Sequence, residues 1–278
     1  MRTEVDILIP TFRRPAALAV TLTSVMAQAH REFRLVISDQ SDDSAFATGE
    51  VMAVVRLLRA HGHVVEALTH LPRRGMAEQR QFLLERAIAP YALFLDDDVI
   101  LEPDVVARML RVIEQESCGF VGSAVIGLSH LDDVRPHEQA IEFWDGPVTP
   151  EVVTPNSPAW DRHRLHNAAN LYHVQRRLGL TSGTQRTYRV AWVGGCVLYD
   201  VAKLREAGGF LFWPALPPAH AGEDVLAQLH VMDRYGGCGL IPSGAYHQQL
   251  PTTVIDRQVD APQFLAHTLD PAQAGPRV

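Results

Sequence analysis

With 278 residues, 47% of them hydrophobic and 21% charged, the chain is large enough for one α/β domain or two small ones around a substantial core. A net charge of −7 without a basic run excludes a surface that tracks nucleic-acid phosphates. No apolar run reaches the roughly 18 residues a membrane span requires, and the single lysine, Lys203, leaves no Walker A loop.

The first residues, "MRTEVDILIP", pass straight into a strand-like run, so no secretory leader is expected. "VDILIP" (5–10) reads as a buried strand, and "TFRRPAALAVTLTSVMAQ" has helical spacing after Pro15. "FRLVISDQS" (33–41) is a second strand, "GEVMAVVRLLRAHG" a helix closed by Gly62, and "VVEALTHL" a third strand. "GMAEQRQFLLERAI" is another helix and "YALFL" a fourth strand. Such alternation predicts a mainly parallel sheet covered on both faces. In such sheets ligands collect outside the carboxyl ends of the strands. Here those ends carry Thr11–Arg13, Asp39–Gln40, Arg73–Arg74 and Asp96–Asp98. No G-x-G-x-x-G follows the first strand, so no nicotinamide or flavin cofactor is expected.

The pattern loosens after about residue 120. "FVGSAVIGL" looks like a strand, and the Pro-, His- and Trp-rich stretch to Asn167 reads as a long functional loop or a partly mobile insertion rather than a linker. "YRVAWVGGCVLYDVAKLREAGGF" returns as a strand, a glycine pair and a short helix. "AGEDVLAQLHVMDRYG" is a helix with acidic residues at its start, "CGLIPSGAYHQQ" is strand-like, and the chain after Pro251 has no pattern. Cys118, Cys196 and Cys238 are odd in number and far apart, which suits a reducing cytoplasm.

Three adjacent aspartates, Asp96, Asp97 and Asp98, end a strand fit for burial. Carboxylates so close repel one another unless a cation or a hydrogen-bonded ligand lies among them. One reading is an acidic turn ahead of the helix near Pro103–Asp104. The other is a site for Mg²⁺ or Mn²⁺ that completes its shell with water and the phosphates of a nucleoside diphosphate. Glu223–Asp224 likewise admits two readings: favourable charge at a helix start, or acid–base chemistry.

Taken in order, "VDILIPTFRRP", "FRLVISDQSDD", "GMAEQRQFLL", "YALFLDDDVILEPD" and "VGGCVLYDVAKLREAGGF…GEDVLAQLHVMDRYG" resemble glycosyltransferase family 2. The resemblance covers roughly residues 4–128 and 190–248 and leaves an insertion at about 130–190 outside it. It implies a GT-A fold, a Rossmann-like mainly parallel central sheet flanked by helices, with a smaller acceptor-side region. Residues 1–128 would be the nucleotide-sugar half, 129–250 the acceptor half, and 251–278 a tail. The implied activity is inverting transfer of one sugar from a UDP, GDP or dTDP donor to a glycan, lipid-linked or small-molecule acceptor. The implied cofactor is Mn²⁺ or Mg²⁺, and the implied place the cytoplasm, with contact at the inner membrane face left open. Asp39 would face the base, Arg80 the phosphate or base, and Thr11 and Arg13 the nucleotide. Asp97 would lie near the ribose, with Asp96 an extra carboxylate beside it. Asp98 would bind metal, joined by His247 as a late ligand. Asp224 would be the general base and Glu223 its neighbour. Trp160, Trp192 and Trp213 are candidates to stack on sugar faces, and Gly194 and Gly195 to let backbone approach the donor. "QLHVMDRYG" lacks the Q-x-x-R-W pattern of processive synthases, hence single addition. Two rivals are a catalytically silent nucleotide-sugar-binding module and a haloacid-dehalogenase-like phosphatase built on "DDDVI".

Overall fold

The computed structural model describes residues 3–254 and 257–269. Strand and helix alternate through the first half: β1 (Val5–Thr11), α1 (Pro15–Met26), β2 (Phe33–Asp39), α2 (Gly49–Ala60), β3 (Val64–Thr69), α3 (Met76–Glu85) and β4 (Tyr91–Leu95). The four strands lie parallel in the order β3-β2-β1-β4. Every residue of β1 is buried, because helices cover both faces of the sheet. Ile7 and Ile9 point into a core shared with Leu18 and Leu22 of α1 and Leu58 of α2. Leu8 alternates to the other face, where α3 supplies Leu83 and Leu84. Pro15 opens α1, where its missing N–H would have had no partner.

The second half adds β5 (Val99–Leu101), α4 (Val105–Glu116), β6 (Phe120–Gly122), α5 (Asn170–Leu178), β7 (Arg186–Tyr188), β8 (Cys196–Asp200), α6 (Val201–Glu206), α7 (Glu223–Tyr235), β9 (Gly237–Ile241), β10 (Ala245–His247) and α8 (Ala261–Phe264). β8, β6, β9 and β7 continue the same sheet beyond β4, with β8 antiparallel to both neighbours. Both halves therefore share one eight-stranded, mostly parallel sheet flanked by helices, as the GT-A expectation required. β5 and β10 form a separate antiparallel pair that sets His247 opposite Val99, beside Asp98.

Several elements differ from the sequence reading. The strand expected over 120–128 stops at Gly122, and the one expected before the glycine pair ends at Tyr188, so β8 begins only after Gly195. Pro242 divides "CGLIPSGAYHQQ" into β9 and β10, since proline offers no N–H to a ladder. Within the insertion the chain winds into a 3₁₀ helix (Pro158–His166) and α5. The segment after Pro251 includes α8 and a bridge from Asp260 to Ala221, while residues 255–256 and 270–278 of that tail lie outside the described residues. All three cysteines are buried and free.

Candidate functional site

A cavity of about 570 Å³ opens at the carboxyl ends of β1 and β4. The β1–α1 turn, the three aspartates, Arg80, Trp192, the start of α7, His247 and the chain from Leu250 onward all line it. The β4 aspartates sit in a dense polar contact set. The Thr11 hydroxyl donates to Asp97 Oδ2 at 2.6 Å, and the Thr21 hydroxyl donates to the Asp97 carbonyl at 2.8 Å. Arg14 Nη1 donates to Asp98 Oδ2 at 2.6 Å and reaches Asp97 Oδ1 at 3.5 Å. Burial pushes the Asp97 carboxyl up to about 7, against the pull of the Thr11 hydroxyl. Asp98 is also raised, by burial foremost, with His247 and Arg14 opposing the rise.

A second acidic pair begins α7. Gly222 caps that helix with φ +78°, and a Cβ there would lie 2.6 Å from Asp260 Oδ1 and 2.9 Å from Pro262 Cδ. Main-chain hydrogen bonds dock the C-terminal segment at this point, Ala221 N–H to Val259 O and Ala261 N–H to Ala221 O. Arg80, on α3, is buried and donates to Glu223 Oε1 at 2.9 Å and to Asp96 Oδ1 at 3.0 Å. Burial works against its charge, but Asp96, Glu223 and Asp224 outweigh that and hold it above an ordinary arginine. Asp224 has no such ion pair among the described residues. Burial first, then the Glu223 charge, pushes its carboxyl up to about 7, with Arg80 opposing. One turn later, Gln228 accepts from Val193 N–H and donates to Val193 O, both at 2.8 Å. This clamp fixes the backbone beside Trp192 to the helix that carries Asp224.

Thr11, Arg80, Asp96, Asp97, Asp98, Glu223, Asp224 and His247 thus come together from five separate stretches of chain. Arg13 and Asp39 do not join them. Arg13 adopts φ +55° and turns outward to an exposed pair with Asp42. Asp39 is fully buried, its two oxygens accepting Ser41 N–H at 2.9 Å and Ala45 N–H at 2.7 Å. Arg80 lines the cavity, with its guanidinium held by the Glu223 and Asp96 carboxylates. Trp192 lines the cavity, stacked on His163 at 4.7 Å with Trp160 at 4.5 Å. Trp213 instead packs toward Ala77 and Leu216. A Cβ at Gly195 would lie 2.7 Å from Val125 Cγ2, whereas a Cβ at Gly194 would meet open space.

Sequence reasoning missed Arg14 and Phe12. Arg14 immediately precedes the proline that starts α1, and that adjacency was its only signal. Phe12 borders a second depression, lined also by Gln40, Asp42, Leu71, Pro72 and Arg73, with the Arg73 guanidinium 4.0 Å above the Phe12 ring.

A divalent ion can be tested against these donors. Asp98 Oδ2 and His247 Nε2 are 3.5 Å apart, near the separation of about 3 Å for adjacent ligands around an octahedral Mg²⁺. His247 Nδ1 accepts Gln249 N–H at 2.6 Å, so the neutral ring carries its proton on Nε2. Ligation through Nε2 therefore requires the other tautomer. No group of three His, Cys, Asp or Glu residues fit to hold a metal occurs among the described residues. One or two protein donors still suit Mg²⁺ or Mn²⁺, which draw further ligands from water and phosphate. Asp98 and His247 supply donors of the kind such an ion takes.

Comparison with known proteins agrees with the fold. The structure superposes on S. aureus TarS 1–349 in complex with UDP-GlcNAc with a TM-score of 0.54 at 15% identity, over 91% of this chain and 60% of that one. It also superposes on the mannosyltransferase PcManGT from Pyrobaculum calidifontis in complex with GDP-Man and Mn²⁺, with a TM-score of 0.50 at 16% identity, over 86% and 57%. In sequence, a putative teichuronic acid biosynthesis glycosyltransferase, TuaG, of Bacillus subtilis is 28% identical over 42% of this chain and 44% of its own length. An uncharacterized glycosyltransferase of Rickettsia felis is 21% identical over 54% of this chain and 24% of its own length. The chain thus spans less than half of the curated relatives it matches. No helix among the described residues is long and apolar enough to cross a membrane. Residues 6–191 match the description of Glycosyl transferase family 2, and the chain belongs to that family.

Proposed function

We propose that this protein moves a single sugar, with inversion, from a nucleoside-diphosphate donor to an acceptor hydroxyl. The observation that carries this reading is one cavity lined both by the β4 aspartates and by Asp224, a carboxyl that burial pushes up to about 7 and that has no ion pair among the described residues. Asp224, deprotonated, takes the proton of the acceptor hydroxyl as its oxygen attacks C1 and the bond from C1 to the diphosphate breaks. Glu223, held by Arg80, positions Asp224 and raises its basicity. Thr11 and Asp97 face the ribose side of the donor, and Asp96 orients Arg80. Asp98, with His247 in its other tautomer, would hold Mn²⁺ or Mg²⁺, which supplies positive charge against the leaving diphosphate. The nucleobase belongs in the Phe12 depression, where an aromatic face becomes free once Arg73 swings away. Asp39 then acts on the base through the loop whose N–H groups it holds.

UDP-GlcNAc and GDP-Man in the solved relatives support the donor class. The acceptor side, residues 129–250, offers the Trp192 face to a glycan or another ring-bearing acceptor. The test is incubation with UDP, GDP and dTDP sugars and Mn²⁺, followed by assay of released nucleoside diphosphate. Metal-dependent release from one donor supports transfer. Tight donor binding with no release from any donor identifies a silent binding module instead.

A further inference from the structure

We propose that Arg14 and a divalent cation are alternative occupants of Asp98, so that Arg14 keeps free metal out of the nucleotide-free protein. The proposal rests on the reading of Asp98 as the metal-facing carboxylate.

Three observations carry it. Arg14 Nη1 lies 2.6 Å from Asp98 Oδ2, the same oxygen that His247 Nε2 approaches at 3.5 Å. The contact is sheltered, with side-chain exposures of 14% for Arg14 and 5% for Asp98. The other guanidinium nitrogen, Nη2, donates to the Pro251 carbonyl at the start of the segment that walls the cavity. A guanidinium and a dication side by side in so sheltered a place repel strongly, since few water molecules screen them. An ion that takes Asp98 therefore displaces Arg14 from that oxygen. Asp97 and Asp98 carry two negative charges at most, and Arg14 already offsets one. A nucleoside diphosphate changes this balance, because its phosphates attract the ion and give Arg14 a new anionic partner in the same cavity. The arrangement predicts weak binding of metal alone and strong binding of metal with the diphosphate. Arg14 also links the two events in space: leaving Asp98 moves the guanidinium that holds Pro251.

The experiment titrates Mn²⁺ alone into the full chain, followed by electron paramagnetic resonance of the free ion. Wild type, Arg14→Gln, Arg14→Lys, Asp98→Ala and the Arg14→Gln/Asp98→Ala double variant are compared, each first checked for cooperative thermal unfolding. Arg14→Gln is expected to bind Mn²⁺ at least about tenfold more tightly than wild type, and adding Asp98→Ala removes the gain. Arg14→Lys keeps the charge and stays near wild type. Equal, weaker or undetectable Mn²⁺ binding by Arg14→Gln overturns the proposal, as does a gain that survives in the double variant. Amide exchange over residues 250–254 should quicken severalfold in Arg14→Gln, and unchanged exchange overturns the link to Pro251. No donor is present in these measurements, so failure of sugar transfer itself leaves a separate signature: no nucleoside diphosphate released, whatever the Mn²⁺ result.

Discussion

Two acidic clusters face one cavity, and each is answered by an arginine, but the two arginines are held in opposite ways. Arg80 is buried between Glu223 and Asp96, with α3 behind it, and its charge is matched on both sides. Arg14 comes from a turn, keeps some exposure, and contacts Asp97 and Asp98 from the cavity side. The first pairing ties two halves of the sheet's covering layers together. The second can be exchanged for another cation. The contrast separates an arginine that supports the site from one that occupies it, although both make ion pairs of similar length.

The sharpest way to break this comparison is at Asp224, the acid that neither arginine pairs. Asp224→Asn should slow sugar transfer by about 10²–10⁴-fold while donor affinity, measured by calorimetry, stays near wild type. Near-normal turnover at saturating acceptor would move the base to Glu223 or to an acidic residue of the insertion such as Glu142 or Asp145. Next in size is Arg80→Met. Removing the partner of a buried pair costs about 3–5 kcal/mol, and the lower end applies because the Asp96 side chain is 38% exposed. Denaturant unfolding measures it, and a loss under about 1 kcal/mol would place Arg80 with Arg14 as an exchangeable cation.

Asp98→Ala should markedly weaken Mn²⁺-dependent nucleotide binding, because one of the few protein oxygen ligands is lost, yet shift the unfolding midpoint little, since the lost carboxyl was itself crowded and raised by burial. Unchanged Mn²⁺-nucleotide affinity would put the cation elsewhere. The smallest effect is on pH. Asp224 must be unprotonated to act, so with its carboxyl at about 7 kcat/KM should fall about tenfold for each pH unit below 7 and level off above it. Glu223→Gln removes the neighbouring negative charge, which should move that acid limb to lower pH. A limb that stays in place assigns it to another group.

Much of the first half was legible in the sequence because its strands are buried on both faces and its helices keep their period. The apolar runs of β1, β2 and β4 and the spacing of α1 have no competing reading. The same burial hid the identity of Arg14. With all of β1 buried, no inside–outside alternation could tell which of Arg13 and Arg14 turns inward, and the positive φ at Arg13 decides it. The family resemblance turns Asp39 toward the base, yet "SDQSDDSAF" is also a turn sequence, and the local N–H groups hold both its oxygens. α5 follows an irregular stretch and is only nine residues long, too short for its period to stand out. The β5–β10 pair is three residues on each side, joined across more than a hundred positions, and nothing local announces it. By contrast the acidic start of α7 was visible, since acidic residues directly before an apolar period are a helix-start pattern.

Gly222 carries a consequence for sequence drift. Its Cβ direction points into Asp260 and Pro262, and its φ of +78° already disfavours other residues. As long as residues 259–261 stay docked on Ala221, position 222 has no freedom to vary. Homologues that lose or replace this C-terminal stretch are relieved of the steric half of that restriction, and asparagine or aspartate becomes tolerable before α7. The helix start bearing Glu223 and Asp224 and a stretch some forty residues later should therefore change in concert, each setting which substitutions the other accepts.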